Sequence, residues 1–306
     1  MTPSRDAHTQ GTVMMMVLVL IWGAFLPVSK AALVAVDPYW LSALRFGAAG
    51  VAFFVILRMK EGALRWPPRS ELWRVGLFGA FGFAGFGICL FEGLRLTRPE
   101  IGAMILAIGP VLTALFQWWQ SGRRPDRFTQ IAIAGALVGE GLVITAGDVS
   151  RLTGGDALGN ALMFFASCFW TAYTLGAQSV RGWSPFRYSA FSCATGWLAI
   201  MLATAIASSI GHSRAPTPAA LASVWPQLAF IVIVVSVIGI LLWNTSVSKI
   251  GPLSAGLFGN FAPVVTYLIA LAQDRRPDAL ELAGAVLVLA ALVANNLHQR
   301  GKSVPS

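Results

Sequence analysis

Long apolar runs separated by short polar breaks dominate the chain along its whole length. Each run holds about 20 residues, which is the length of helix that crosses the hydrocarbon core of a bilayer. The pattern therefore predicts ten membrane-spanning helices and no loop long enough to hold a soluble domain. The predicted spans cover residues 13–36, 39–58, 73–95, 100–120, 128–147, 156–180, 187–210, 225–247, 252–272 and 279–297.

Composition agrees with this pattern and excludes several classes of protein. The chain has 306 residues, of which 56% are hydrophobic and 11% charged, and its mean hydropathy is +0.70. A soluble domain carries roughly 25% charged residues, so this chain cannot cover a soluble surface. The net charge is +9, but no basic helix carries the interleaved aromatic residues of a nucleic-acid-binding face. We therefore expect a lipid bilayer around the protein and no nucleic-acid partner.

The distribution of Lys and Arg predicts the orientation of the chain. With the N-terminus inside, 14 basic residues fall in inside segments and 8, including Arg45, fall in outside segments. Basic residues favour cytoplasmic loops, so we expect both termini in the cytoplasm. Lys is scarce beside Arg, which points to a bacterial source, and we expect the inner (plasma) membrane as the location.

The chain also repeats itself. The sequence Arg-Arg-Pro-Asp at residues 123–126 recurs at residues 275–278, which is 152 residues later. At the same offset, residues 87–92 (Gly-Ile-Cys-Leu-Phe-Glu) align with residues 239–244 (Gly-Ile-Leu-Leu-Trp-Asn). Several matches in one order at nearly one offset indicate an internal duplication.

The duplication predicts a first repeat over residues 1–150 and a second over residues 151–306, with five spans in each. Because five is odd, the two repeats cross the membrane in opposite directions, and the two Arg-Arg-Pro-Asp segments face opposite sides. Inverted repeats are typical of secondary transporters, in which one repeat moves against the other around a central site. A duplicated channel or structural membrane protein is the alternative.

The 5+5 duplication resembles the drug/metabolite transporter superfamily, EamA branch. The resemblance rests on this architecture, on Pro in spans four and nine, and on Trp-Gly-Ala-Phe at residues 22–25, matched by Trp-Thr-Ala-Tyr at residues 170–173. It covers nearly the whole chain, and the chain is similar to the subgroup of YddG-type aromatic amino-acid exporters. The resemblance implies an all-α membrane fold of ten helices in two inverted five-helix repeats. It also implies export of amino acids, aromatic or otherwise apolar, or of related metabolites, by alternating access.

Other functions remain open at this point. The same fold also suits an exporter of drugs or other metabolites, and a membrane enzyme or lipid flippase is the alternative from another class. The chain has no G-x-x-x-x-G-K-[ST] motif and no His within a predicted span. We therefore expect a small-molecule substrate, no enzymatic activity, no cofactor and no metal site, with a monomer favoured over an oligomer.

Two prolines and one carboxylate are candidate hinge or gate residues. Pro110 and Pro263 lie inside spans four and nine, where each would remove a helical hydrogen bond and loosen the helix. A static kink that aids packing is the alternative. Glu92, near the end of span three, is either a gate residue or the partner of Arg95 in an ion pair at the membrane edge.

Aromatic residues at matched positions predict the substrate site. Trp22, Phe25, Trp170 and Tyr173 occupy equivalent places in spans one and six, and an apolar pocket between the repeats would have such walls. Ordinary core packing or an interfacial belt is the alternative. We add Met104 of span four as a further apolar candidate.

Four polar residues within spans complete the candidate site, because a polar group in a membrane needs a partner. Asn244 is the counterpart of Glu92 in the second repeat. Asn260 and Tyr267 flank Pro263, and they either bind substrate or satisfy a broken helix. Glu140, in span five, is either a proton site or a neutral carboxyl hydrogen-bonded between helices.

Glycines at a three-residue step mark one face of span three, at Gly76, Gly79, Gly82 and Gly85. Such a stripe lets a neighbouring helix approach closely. We expect it to pack tightly against another span, either statically or in a contact that slides as the protein changes state.

Overall fold

The computed structural model describes residues 5–62, 66–122, 124–148, 156–180, 182–251, 255, 258–259 and 261–303. Every regular element in these ranges is helical. The principal helices are α1 Arg5–Ala32, α2 Pro38–Glu61, α3 Arg69–Leu96, α4 Pro99–Ala107, α5 Gly109–Ser121, α6 Arg127–Thr145, α7 Asp156–Gly176, α8 Pro185–Ser209, α9 Pro218–Ser223, α10 Trp225–Ile250, α11 Ala262–Ala272 and α12 Ala279–Ser303.

Seven stretches of the described chain are long and apolar enough to cross a membrane. They lie in α1, α2, α3, the α4–α5 unit, α6, α8 and α10. Shorter apolar helices occur at Ala262–Ala272 and Ala279–Asn295. Helix α7 is 21 residues long but carries polar residues on its buried face, such as Asn160 and Thr171. Each predicted span thus contains a helix, while the count of ten membrane crossings stays a prediction.

The helices pair in a pattern that is unchanged when the two halves of the chain exchange places. Helix α1 packs along α10, and its counterpart α7 packs along α3. Helix α2 packs along its own counterpart α8, and α6 packs along its counterpart α12. This exchange is what a pseudo-two-fold relation between two repeats produces.

Counterpart helices lie antiparallel. Asp126 Oδ1, just before α6, lies 3.1 Å from His298 Nε2 near the end of α12, whereas Gly147, just after α6, lies against Leu280 at the start of α12. Contacts between the ends of α2 and α8 show the same antiparallel arrangement. The starts of α6 and α12, each just after an Arg-Arg-Pro-Asp segment, therefore lie at opposite ends of the bundle. We call the end where α1 begins and α12 ends the terminal side, and the other end the distal side.

Glycines set how closely these helices approach. A Cβ on Gly82 would lie 2.4 Å from the Tyr173 ring of α7, and one on Gly79 would lie 2.3 Å from the Ser192 carbonyl oxygen of α8. The predicted stripe on α3 therefore packs against both helices. Within α3, residues Ala80–Gly85 form a π-helical segment, an element often found at functional sites.

Spans four and nine are broken at matched places, which corrects the expectation that each proline removes a helical hydrogen bond. Helix α4 ends before Ile108, and Pro110 lies in the first turn of α5. Likewise, Phe261 precedes α11, and Pro263 lies in the first turn of that helix. A first-turn residue has no intrahelical partner for its N–H, so neither proline removes a helical bond there. The regular helix is interrupted at Ile108 and Phe261 instead.

We expect Gly139→Ala to destabilise the protein by about 1–3 kcal/mol, because the added Cβ has no room. It would lie 2.8 Å from the Gly284 carbonyl oxygen of α12. Gly141→Ala is the matched control, since no atom lies within 4 Å of its added Cβ. The control should be neutral or gain up to about 1 kcal/mol in helix propensity. Thermal unfolding of the purified variants in detergent measures the difference, and equal unfolding temperatures would contradict close packing of α6 against α12.

Candidate functional site

A cavity of about 160 Å³ lies between the two halves of the bundle. An apolar cavity of about 150 Å³ is large enough to hold benzene, so this space suits a group of that size. Residues of α1 to α5 and of α7, α10 and α11 line it, so both repeats contribute to the wall. Gly109, Gly259, Ala262 and Pro263 place the two helix breaks at its edge.

Three tryptophans form one wall of the cavity. Trp22 of α1 lies 5.8 Å from Trp170 of α7 and 5.1 Å from Trp243 of α10, measured between ring centroids. Trp170 and Trp243 are 6.1 Å apart, and Phe86 of α3 lies 5.0 Å from Trp170. Trp22, Trp170 and Phe25 line the cavity as predicted. The sequence interpretation missed Trp243, although the repeat alignment of residues 239–244 had already included it.

Most of the polar side chains that line the cavity carry a hydroxyl group. Four of them donate to a backbone carbonyl of their own helix at 2.8 to 3.0 Å. They belong to Thr113, Thr171, Thr174 and Ser236. Because a hydroxyl has a single hydrogen, each of these groups presents only acceptor lone pairs to a ligand. The arrangement suits a ligand that brings its own N–H donors.

Arg45 is the one charged residue of the cavity wall in the described part of the chain. Its side chain is 2% exposed and lies among four phenyl rings. The distances from Cζ to the ring centroids are 4.0 Å for Phe46, 4.8 Å for Phe91, 5.1 Å for Phe25 and 5.9 Å for Phe86. Such cation–π contacts are worth up to about 2 kcal/mol each when water is excluded.

The position of Arg45 corrects the charge count made from the sequence. That count placed Arg45 in an outside segment, whereas the residue lies within α2 and faces the interior. Its Nε and Nη1 atoms have no hydrogen-bond partner among the described residues. A charge inside an apolar run is the signal that could have identified it, because such residues usually face a cavity or a partner.

Tyr173 and Asn244 lie outside the cavity lining, in a buried hydrogen-bond network. Asn244 Nδ2 donates to Tyr173 Oη at 3.0 Å and to Ser189 Oγ at 2.7 Å. Tyr188 Oη donates to the Tyr173 carbonyl oxygen at 2.7 Å. This network joins α7, α8 and α10, so the predicted contact of Tyr173 and Asn244 with substrate has no support from the cavity geometry.

Met104 and Tyr267 are buried beside the cavity. Along α4, Met104 lies one turn beyond Ala107, which lines the cavity. Along α11, Tyr267 lies one turn beyond Pro263, which also lines it. Neither Met104 nor Tyr267 is itself part of the lining, but Ala103, next to Met104 and nearer the distal side, does line the cavity, so only Tyr267 lies beyond the lining residues of its own helix.

Ion pairs between the repeats close the distal side beyond these residues. Arg98 hydrogen-bonds to Glu281, and Arg275 Nη1 lies 3.3 Å from Glu100 Oε1. Arg98 lies between α3 and α4. Its burial lowers its pKa, but the hydrogen bond to Glu281 and the charges of Glu281 and Glu100 outweigh this, so the pKa of Arg98 is raised. We call these four residues the distal ionic layer.

The structure leaves three of the predicted site residues wholly or partly undescribed, and it places a fourth, Glu92, at the edge of the bundle. Asn260 lies outside the described residues, as do the side chains of Pro110 and Glu140. Within the described chain, α6, which carries Glu140, contributes nothing to the cavity wall. Glu92 Oε2 lies 3.4 Å from Arg95 Nη1 and its Oε1 lies 3.5 Å from His212 Nε2. This geometry agrees with an ion pair at the end of α3.

Comparison with known proteins places this arrangement among transporters. The chain is 30% identical over 296 residues to the uncharacterized transporter YrdR of Bacillus subtilis, covering 95% of this chain and 92% of that protein. It is 28% identical to the aromatic amino acid exporter YddG of Ancylobacter novellus, covering 96% of this chain and 100% of that protein. One crystal structure shares the fold, with a TM-score of 0.66 and 21% identity over 97% of this chain and 99% of that one.

The family profile locates both repeats. The profile of the EamA-like transporter family matches residues 9–145 and again residues 157–297. The two matches agree with the pseudo-two-fold pairing of the helices, and the predicted boundary near residue 150 falls between them, outside the described residues. The chain therefore belongs to the EamA-like transporter family, whose members are multi-pass membrane transporters and not enzymes.

Proposed function

We propose that the protein exports amino acids with aromatic or other apolar side chains, or related metabolites, across a bacterial inner membrane by alternating access. The observation that carries this proposal is the cavity between the repeats, which Trp22, Trp170 and Trp243 line from three helices. Burial of an apolar group there contributes about 25 cal/mol per Å² of apolar area. A side chain of aromatic size matches the cavity volume of about 160 Å³.

The polar surface of the cavity favours an amino acid over a purely apolar solute. Hydroxyl oxygens that already donate to backbone carbonyls can accept hydrogen bonds from a substrate ammonium group. The tryptophan faces also attract a cation. Two relatives support the same substrate class: the YddG protein is named an aromatic amino acid exporter, and a protein of Streptantibioticus cattleyicolor, 24% identical, is named a probable terminal-alkyne amino-acid exporter.

Alternating access finds support in the two ends of the cavity. The distal ionic layer and Tyr267 lie between the cavity and the distal side. Toward the terminal side, the lining extends to Leu175, next to the last residue of α7. Breaks near the middle of two matched helices are typical of transporter substrate sites, because they let helix halves move separately. We assign the terminal side to the cytoplasm and propose that the ionic layer separates when the cavity opens outward.

Replacing Trp170 by Ala tests the substrate site. We expect transport of tryptophan and phenylalanine to fall about ten-fold more than transport of alanine, because about 1.4 kcal/mol of apolar contact is lost only for the large side chains. Uptake into liposomes that contain the purified protein measures this ratio. The control is Trp119→Ala, since Trp119 is 81% exposed and does not line the cavity. An equal loss for all substrate sizes would show that Trp170 serves packing instead.

Cysteine labelling tests the orientation. Arg124 and Arg276 are equivalent exposed residues of the two Arg-Arg-Pro-Asp segments, so Arg124→Cys and Arg276→Cys change the charge equally. In a background without the three native cysteines, we expect a membrane-impermeant reagent to label position 276 in intact cells. Position 124 should react only after the membrane is opened. Labelling of both positions from one side would contradict the inverted arrangement.

A further inference from the structure

Arg45 is a buried cation whose charge no described carboxylate balances. Within the described chain, its guanidinium forms no ion pair, and its Nε and Nη1 atoms have no hydrogen-bond partner. Phenyl rings attract the cation but accept no conventional hydrogen bond from its N–H groups. Because an unpaired buried charge destabilises a fold, a residue of this kind is most readily explained by an anionic partner that comes and goes.

The groups around Arg45 do not supply such a partner. On its own helix, Ser42 lies one turn before it, and the carbonyl oxygen of the next residue, Phe46, accepts from the Cys193 thiol of α8 at 3.4 Å. On α3, it faces the rings of Phe86 and Phe91. The next residue on α3, Glu92, instead lies within ion-pair distance of other basic side chains.

The position of Arg45 within the cavity indicates which chemical groups a ligand must carry. Phe86 is close to both the guanidinium and the tryptophan wall, since its ring is 5.9 Å from Arg45 Cζ and 5.0 Å from the Trp170 ring. A ligand that contacts both Arg45 and Trp170 therefore needs an anionic group and an apolar group separated by a few bonds. Aromatic α-amino acids have this form, and their ammonium group can reach the acceptor hydroxyls of the cavity wall.

We propose that Arg45 binds the carboxylate of the transported molecule. Guanidinium is suited to this role because its planar fork of N–H donors matches two carboxylate oxygens, whereas an ammonium group offers only a point charge. The inference rests on the proposed function for the site and adds a selection rule to it. Substrates must carry a carboxylate, and amines or amides of the same size and shape are excluded because they leave Arg45 unpaired.

Ligand binding to the purified protein tests this rule without relying on transport. Thermal stabilisation in detergent is measured with four probes of similar shape: tryptophan, tryptophan amide, tryptamine and indole-3-propionate. We expect tryptophan and indole-3-propionate to bind the wild-type protein at least ten-fold more tightly than the amide and the amine. In Arg45→Gln, tryptophan binding should weaken about 10- to 100-fold and the preference for a carboxylate should disappear.

Two further variants separate the carboxylate contact from structural effects. Arg45→Lys keeps the charge but not the paired donors, so its preference for tryptophan over the amide should be intermediate. Arg58→Gln is the control on the same helix, because Arg58 is exposed and its Nη1 donates to the Gly62 carbonyl oxygen; its preference should equal that of the wild type. If Arg45→Gln does not fold, the wild-type comparison of acid with amide and Arg45→Lys still decide the matter.

The outcomes distinguish this inference from the proposed function. Equal wild-type binding of tryptophan and its amide overturns the role of Arg45, even if liposomes take up amino acids. Binding restricted to carboxylates, together with no transport of any amino acid, supports the role of Arg45 and overturns amino-acid export. Binding of tryptamine in preference to every carboxylate overturns both and points to export of organic cations.

Discussion

The absence of water inside a bilayer is the constraint on which the rest of this structure depends. Every backbone N–H and C=O there must be satisfied within the protein, so the described chain crosses the apolar region as helices. Non-helical backbone at that depth is tolerated only where it is buried or lines a cavity. The breaks at Ile108 and Phe261 obey this limit, because residues beside both of them line the central cavity. The same constraint makes Arg45 informative, since its charge lies among rings without an ionic partner.

The helix arrangement is symmetric between the two repeats, but the ion pairs at the two ends of the cavity are not. The helices pair as two exchangeable halves, yet the distal ionic layer includes Glu281, which the repeat does not preserve. Glu281, which binds Arg98, corresponds to Thr129 in the first repeat, and the Thr129 hydroxyl donates to Asp126 at 3.2 Å. The two ends of the cavity can therefore differ in the free energy needed to open them, which sets the relative populations of the two open states.

Particular residues show how far the sequence predicted the site. The repeat pointed to Trp22, Trp170 and Pro263, and all three line the cavity, because duplicated helices bring matched positions to a shared axis. It misplaced Tyr173, one turn from Trp170, because the direction of a helix face depends on which neighbour the helix packs against. Gly82 lies directly against the Tyr173 ring and directs it to the buried network with Asn244.

The sequence by itself determined the membrane-embedded helical class, the internal duplication and the relation to the EamA-like family. These follow from the length of the apolar runs and from matches between distant segments, and both can be read from the linear sequence alone. Only the tertiary structure decided which polar groups meet at the centre. Arg45 looked like one more basic residue near the end of a span, and its meaning arose when α1, α2 and α3 enclosed its guanidinium with Phe25, Phe46, Phe86 and Phe91. The physical reason is that burial and pairing of a charge depend on neighbours distant in the chain, which no local pattern specifies.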